Sequence, residues 1–442
     1  MRALAEALAR AGVPVTGCDA SLVEAPASLV AAGVEILDGH DPDHISGISA
    51  LVRTAAVPDD HPELEAARAA GIPVLKRADA LGLWVDTGIV LAVAGTHGKT
   101  STTAMLTSVL AAAGMDPTGF VGGHVGAWGG NLRKGADRYF VVEADEFDRS
   151  FLHLRPTVAI VTNVEADHLD IYGDFAGVVD AFRTFVDLIE PGGVLVACAD
   201  DHGVSRLVFG HDREVVTYGT NAGAMLRGSD LERASGGGTR FRVHEVGVDK
   251  GFLELSAPGV HNVRNALGAA AAARRVGASW EAVRDGLAAY AGVGRRFQKL
   301  GRAAGVDIVD DYAHHPTEVE ATLDAARREF PDQKLVAVFQ PHLFSRTQEF
   351  HHEFGVELAK ADAVWVTDVY PAREAPIPGI TGALVADAVS SAGTPVTYHD
   401  ELTTLAEAVA GTLTPGEVCV TLGAGSIERV GPEILNILER NE

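Results

Sequence analysis

"VAGTHGKTSTTAML", residues 93–106, decides how this 442-residue chain is read. The apolar run "IVLAVA" at 89–94 feeds a glycine-bounded turn, and the turn opens a stretch whose apolar residues recur at helical spacing. Only Thr96 and His97 separate Gly95 from the Gly98-Lys99 pair, fewer residues than a usual phosphate-binding loop carries there. The chemistry survives the shortening. Backbone N–H groups at a helix start cradle phosphate oxygens, Lys99 offsets their charge, and Thr100 offers a hydroxyl to Mg²⁺. Gly95, Thr96, His97, Gly98, Lys99, Thr100 and Ser101 are therefore the predicted nucleotide loop, with Lys99 expected exposed on it. An ordinary glycine-rich turn is the alternative, and the Lys-Thr pair in register argues against it.

Two further stretches place polar residues directly after apolar runs. In "YFVVEADEFDRS", Glu143, Asp145, Glu146 and Asp148 follow a strand-like segment. Glu143, nearest the strand end, is the first choice to share a Mg²⁺ with Thr100; solvated surface acids are the alternative. In "TVAIVTNVEADHLDIYGD", Thr162, Asn163, Asp167 and His168 occupy the same kind of position, and His168 is a candidate ligand for a second Mg²⁺.

Strand-like and helical stretches alternate almost throughout, which predicts an α/β fold of parallel sheets covered by helices. Ligands in such sheets sit beyond the carboxyl ends of the strands, where these residues fall. Three domains are expected, at 1–88, 89–293 and 294–442, with an irregular hairpin insertion between about 212 and 258. A net charge of −24 argues against nucleic acid as the main partner. Apolar runs are too short for a membrane span, and the start lacks a signal-peptide pattern, which predicts a cytoplasmic protein. Cys18, Cys198 and Cys419 lack metal-like spacing and read as core thiols.

Seven motifs in series carry a specific resemblance: "GTHGKTSTTAML", "EADEFDRSF", "TNVEADHLDIYGDF", "GVHNVRNALGAA", "GVGRRF", "DDYAHHPTEV" and "FQPHLFSRT". Together they resemble the Mur ligases of peptidoglycan synthesis over about residues 10–435, and the last two favour the alanine-adding branch. The resemblance implies an ATP- and Mg²⁺-dependent carboxylate–amine ligase acting on UDP-N-acetylmuramate and L-alanine. It implies a Rossmann-like UDP-binding domain, a central ATPase domain and a Rossmann-like C-terminal domain that closes over the site. Lys99 and Thr100 match the ATP loop, Glu143 and His168 the magnesium positions, and His261, Asn262 and Asn265 the adenine segment. Arg295 or Arg296 matches an arginine that reaches the ATP phosphates. Asp311, Tyr312, His314, His342 and Arg346 match motifs facing substrate and amino acid.

The chemistry implied requires a free amine to attack an acyl phosphate, so a neutral His or a carboxylate must take its proton; His314 is the candidate. This chain has no Lys between Lys134 and Lys250, which excludes the carbamylated lysine of several sister ligases, and Ser426 stands where the family usually has Asp. Met1 falls where the family's N-terminal glycine loop would end, so a preceding strand and glycine turn are expected upstream, with Asp19 near the uridine. A ligase that recycles a murein tripeptide, and a non-catalytic nucleotide-binding regulator, are the competing functions. Monomer and homodimer both remain open.

Overall fold

The computed structural model describes residues 1–19, 25–54 and 56–441. The chain divides into two compact units: Met1–Arg227 with Ala266–Gly286, and Gly228–Asn265 with Leu287–Glu442.

The first unit opens with the helix Arg2–Arg10, whose Leu4 and Ala7 are buried. Two small parallel sheets follow, pairing Thr16–Gly17 with Glu35–Ile36 and Leu51–Arg53 with Val74–Lys76. The strand at Val74–Lys76 was not evident in the sequence, being only three residues long and partly exposed. In this unit, seven strands of the main sheet run in the order Gly130–Arg133, Thr118–Val125, Tyr139–Glu143, Ile89–Ala94, Val158–Val161, Val194–Cys198, Glu214–Gly219. Of the pairs among these seven, only the first is antiparallel. Strand Ile89–Ala94 lies at the centre with five of its six residues buried, the burial expected of a parallel strand covered on both faces. Register then positions the chemistry: Val93 pairs with Glu143, and Ala94 with Val161. Three strands thus end level, and Gly95, Ala144 and Thr162 emerge along one carboxyl edge.

The second unit contains the hairpin Thr239–Glu245/Val248–Leu255, as expected for the insertion. Its six-stranded sheet has the order Gln298–Ala303, Val306–Asp311, Glu417–Leu422, Lys334–Phe339, Ala363–Val366, Val396–Tyr398, antiparallel only at the first pair. Asp311 pairs with Leu422, and Phe339 with both Leu422 and Val366. The segments that follow, 312–315, 340–346 and 423–426, therefore share one edge. The α/β reading holds in both units. Cys198 and Cys419 are buried, whereas Cys18 is only partly so and does not fit a core thiol.

Candidate active site

The loop at Gly95–Gly98 is shaped by what packs under it. Gly95 has φ +135°, and a Cβ there would lie 2.0 Å from Thr162 Oγ1, so a side chain would collide with the neighbouring strand end. The same segment holds the loop in place. Thr96 N donates to Asn163 O (3.1 Å), His97 N to Asn163 Oδ1 (2.7 Å), Thr162 Oγ1 to His97 O (2.6 Å), and Glu165 N to Thr96 Oγ1 (2.9 Å). Thr162 and Asn163, noticed in the sequence without a role, are thus the loop's scaffold. Gly98, at φ +81°, turns the chain into the helix Lys99–Ala112. The first intrahelical bond here runs from Thr102 N to Gly98 O (3.0 Å), which leaves the amides of Lys99, Thr100 and Ser101 ahead of it, available to an anion.

Lys99 departs from its expected exposure. It is the first residue of the helix, its side chain is 12% exposed, and Nζ donates to Gly95 O (2.7 Å), Thr96 O (3.0 Å) and Glu146. The ammonium lies 2.9 Å from one Glu146 oxygen and 2.7 Å from the other. Glu146 lies three residues beyond the end of the neighbouring strand Tyr139–Glu143 and is itself buried. Burial pulls the Lys99 pKa down, yet Glu146, Asp145 and Glu143 outweigh it and hold the group above its usual value. Burial pushes Glu146 up to about 7 against the opposing pull of Lys99.

Glu143 ends its strand, accepts from the Thr100 hydroxyl (2.8 Å) and from Gly122 N, and is also raised by burial. His168 Nε2 stands 3.9 Å from Glu146 Oε1 and from Asp167 Oδ2, its ring edge-on to Phe147. Thr100, Glu143, Glu146 and His168 thus belong to one neighbourhood. Two buried carboxyl groups, Glu143 and Glu146, face one lysine, and hard oxygen donors predominate. Both features fit Mg²⁺. Glu146 is the residue sequence reasoning undervalued; its only signal was membership of the acid run.

In the second unit, Asn265 Nδ2 donates to Asn262 Oδ1 (3.3 Å), and Asn262 Nδ2 donates to Pro258 O (2.8 Å) and lies 3.0 Å from His261 Nε2. Burial, with Arg264 and Arg296 nearby, lowers His261 to about 4, so the ring is neutral and its Nε2 accepts. Arg295 is held by Asp310 (3.0 Å), Gly423 O (2.6 Å) and Glu428 (3.3 Å). Arg296 reaches Glu318 at 3.4 Å, and both guanidinium groups lie against the Tyr312 ring, at 5.1 and 5.2 Å. Asp311 is buried beneath this turn, accepting from Phe297 N (2.6 Å) and Ala313 N (2.8 Å), and burial raises it to about 6. Its carboxylate supports the chain rather than presenting an open face.

His314 Nδ1 sits 3.0 Å from both Tyr312 O and Glu318 Oε2. Both neighbours are acceptors, so Nδ1 carries the proton and Nε2 holds the lone pair. Glu318 was legible only as an acid four residues after His314, at a helix start. His342 lies edge-on to His314 (5.8 Å), stacks on Tyr370 (5.7 Å), and has Arg346 Nη1 3.4 Å from Nδ1. Burial, then His314 and Arg346, lower it to about 4. Ser426 Oγ accepts weakly from Gln340 Nε2 at 3.4 Å. Asp19 is exposed in the first unit.

Known proteins carry the same pattern over the full length. The chain matches the Mur ligase family catalytic domain over residues 1–87, the Mur ligase middle domain over 93–273 and the Mur ligase glutamate ligase domain over 295–425. It is 44% identical to the UDP-N-acetylmuramate–L-alanine ligase of Salinibacter ruber, covering 100% of this chain and 93% of that one. It is 47% identical to the enzyme of that name from Kineococcus radiotolerans, covering 99% and 94%. Among solved structures, the UDP-N-acetylmuramate–alanine ligase of Thermotoga maritima superposes with a TM-score of 0.80 at 28% identity, covering 100% and 97%. A murein peptide ligase from Psychrobacter arcticus gives 0.68 at 26%, covering 99% and 96%. With every segment of the loop-and-strand-end architecture matched and nearly half the residues shared along the whole chain, this protein belongs to the ATP-dependent Mur ligase family.

Proposed function

We propose that the chain joins L-alanine to the lactyl carboxylate of UDP-N-acetylmuramate, using ATP, as a cytoplasmic step in peptidoglycan precursor synthesis. The observation that carries the reading is the buried group at the start of Lys99–Ala112: Lys99 against Glu146, and Thr100 against Glu143. A lysine and a threonine set there, ahead of unbonded helix amides, suit a nucleotide triphosphate and a divalent cation. The identity of the substrates rests on the full-length relatives named for them.

A carboxylate does not expel oxide, so its oxygen first attacks the γ-phosphorus of ATP, releasing ADP and forming an acyl phosphate. The loop amides and Lys99 offset the repulsion between the two anions, and positioning with charge neutralisation supplies most of such catalysis. Mg²⁺, held by Thr100, Glu143 and His168 with Glu146 close by, would neutralise phosphate charge. The amine of alanine then attacks the carbonyl carbon, His314 Nε2 takes its proton, and phosphate leaves. Glu318 fixes the tautomer that makes Nε2 the base.

The phosphate contact falls to Arg295 or Arg296, the two guanidinium groups that lie against the Tyr312 ring. His261, Asn262 and Asn265 serve the adenine end, Tyr312, His342 and Arg346 the amino-acid side, and Asp19 the uridine. Asp311 positions the Arg295–Phe297 turn. These roles follow a division into domains at 1–88, 89–293 and 294–442. Offering L-alanine and L-Ala-γ-D-Glu-meso-diaminopimelate in parallel tests the acceptor. Preference for the tripeptide would move the chain to the recycling reaction, and ATP turnover with neither would leave a nucleotide-binding regulator.

A further inference from the structure

The helix that carries Arg346 starts from a strained turn. Leu343, directly ahead of the helix Phe344–Leu358, takes φ +68° and ψ 136°, backbone angles that residues with a side chain rarely adopt. Such strain persists only where neighbours over-determine it, and one loop, residues 370–374, supplies them. Tyr370 O accepts from Leu343 N (2.9 Å), Tyr370 N donates to Pro341 O (2.8 Å), and the two backbones form a parallel bridge at His342 and Tyr370. The Tyr370 ring stacks on His342 at 5.7 Å and is backed by Gly425, where a Cβ would lie 2.5 Å from Tyr370 Cγ. Past Leu343, Glu374 takes hold of the helix itself: its Oε2 accepts from Ser345 N (3.0 Å) and its Oε1 from the Ser345 hydroxyl. Glu374 N donates back to Pro371 O (2.9 Å), which closes the loop as a turn.

We propose that Glu374 is a positioning residue for the acceptor: with Tyr370 it fixes the strained start of this helix so that Arg346 meets the carboxylate of the incoming amino acid. The inference rests on the assignment of Arg346 to the amino-acid side. A free amino acid offers a planar carboxylate that a guanidinium binds through two parallel bonds, and such a pair depends on placement as well as charge. Ser345 and Arg346 are the second and third residues of the helix, in the turn whose amides have no partner within it. An ionised carboxyl there caps that turn and complements the helix dipole. Burial pushes Glu374 up, but the bonds from Ser345 and the charge of Arg346 outweigh it and hold the carboxyl below its usual range.

Releasing the clamp would let the first turn relax and move the guanidinium without changing its charge. Arg346 is buried, and its Nη1 lies 3.4 Å from His342 Nδ1, so a shift of the turn disturbs both groups read for the amino acid. Every bond from the loop to the helix start runs to residues 341–345, which confines the effect to that substrate. Sequence spacing could not show this, because 29 positions separate Glu374 from Ser345.

The test is steady-state kinetics of the full chain with each substrate varied in turn. Glu374→Ala should raise the KM for L-alanine about threefold or more, the effect of a lost helix cap, while kcat and the KM values for ATP and UDP-N-acetylmuramate stay within about twofold. Arg346→Ala should raise the KM for L-alanine further, and adding Glu374→Ala to it should change nothing more, because Glu374 acts only through Arg346. Glu374→Gln, which keeps the shape of the side chain, should shift the same KM in the same direction by less, and it carries the test if Glu374→Ala does not fold. Glu353→Ala, an exposed acid on the same helix, should leave all three KM values alone. An unchanged KM for L-alanine in both Glu374 variants, equal shifts for all three substrates, or additive effects in the double variant each overturn the proposal. If instead Arg346→Ala leaves the KM for L-alanine unchanged, the assignment of Arg346 fails, and this inference with it.

Discussion

The ammonium of Lys99 lies 2.7 Å from Glu146 Oε2, with the two side chains 12% and 4% exposed. A loop lysine reserved for phosphate is thereby also a structural cation. Lys99→Ala is expected to lower kcat by about a hundred- to a thousandfold, corresponding to ~3–4 kcal/mol of transition-state stabilisation. It should also lower Tm, since removing one partner of a buried pair strands the other. A variant with more than roughly a tenth of the wild-type rate contradicts the assignment. An unchanged Tm contradicts the structural role.

Glu146 makes stability depend on pH. Its pKa in the folded chain is about 7 against an ordinary 4.5, so the folded state holds a proton that the unfolded chain gives up between those values. Its contribution is full below 4.5 and is lost as pH rises through 7. Asp311, at about 6, acts in the same sense, whereas His261 and His342, near 4, favour the folded state as pH rises from 4 to 6.5. Subtracting a Glu146→Gln variant isolates the first effect. Between about pH 5 and 8 the wild type should lose more Tm than the variant; parallel curves would rule the reading out.

That pair also marks the limit of what the sequence reveals. The strand–turn–helix around Gly95, the acids after Tyr139–Glu143 and the polar residues after Val158–Val161 were all legible, because each is a local pattern and parallel register brings strand ends to one edge. Lys99 was read as exposed because nothing in "EADEFDRS" announces which of its acids meets the lysine; the contact with Glu146 is set by tertiary folding. Cys18 was read as a core thiol for a similar reason: its partners are set by tertiary folding, not spacing. Asp311 was legible as important, but its two bonds to backbone amides are visible only in the folded turn.

Gly95 should tolerate no side chain. The Cβ of Gly95→Ala would meet Thr162 Oγ1 at 2.0 Å and Thr162 N at 3.0 Å, in a backbone conformation L residues avoid. The expected outcome is a loss of about 2 kcal/mol or more in stability together with lost ATP affinity. Gly126→Ala, which meets nothing within 4 Å, should be near neutral by both denaturation and calorimetry. Equal effects would mean that the loop is not clamped on Thr162.

His314 is expected to act after the phosphoryl transfer. His314→Ala should reduce kcat by ~10²–10⁴ while acyl phosphate still forms, detectable by trapping with hydroxylamine in the presence of ATP and UDP-N-acetylmuramate. Glu318→Gln should show a smaller defect of the same kind, because it loosens the Nδ1–H that leaves Nε2 as base. If His314→Ala abolishes trapping as completely as product formation, the residue is not the amine's base.

The central claim is tested most directly by measuring phosphate release from ATP with Mg²⁺ while omitting each substrate in turn. The account predicts rapid release only when UDP-N-acetylmuramate and L-alanine are both present, with one UDP-N-acetylmuramoyl-L-alanine formed per phosphate. Release that needs neither substrate, or none with both present, would contradict it.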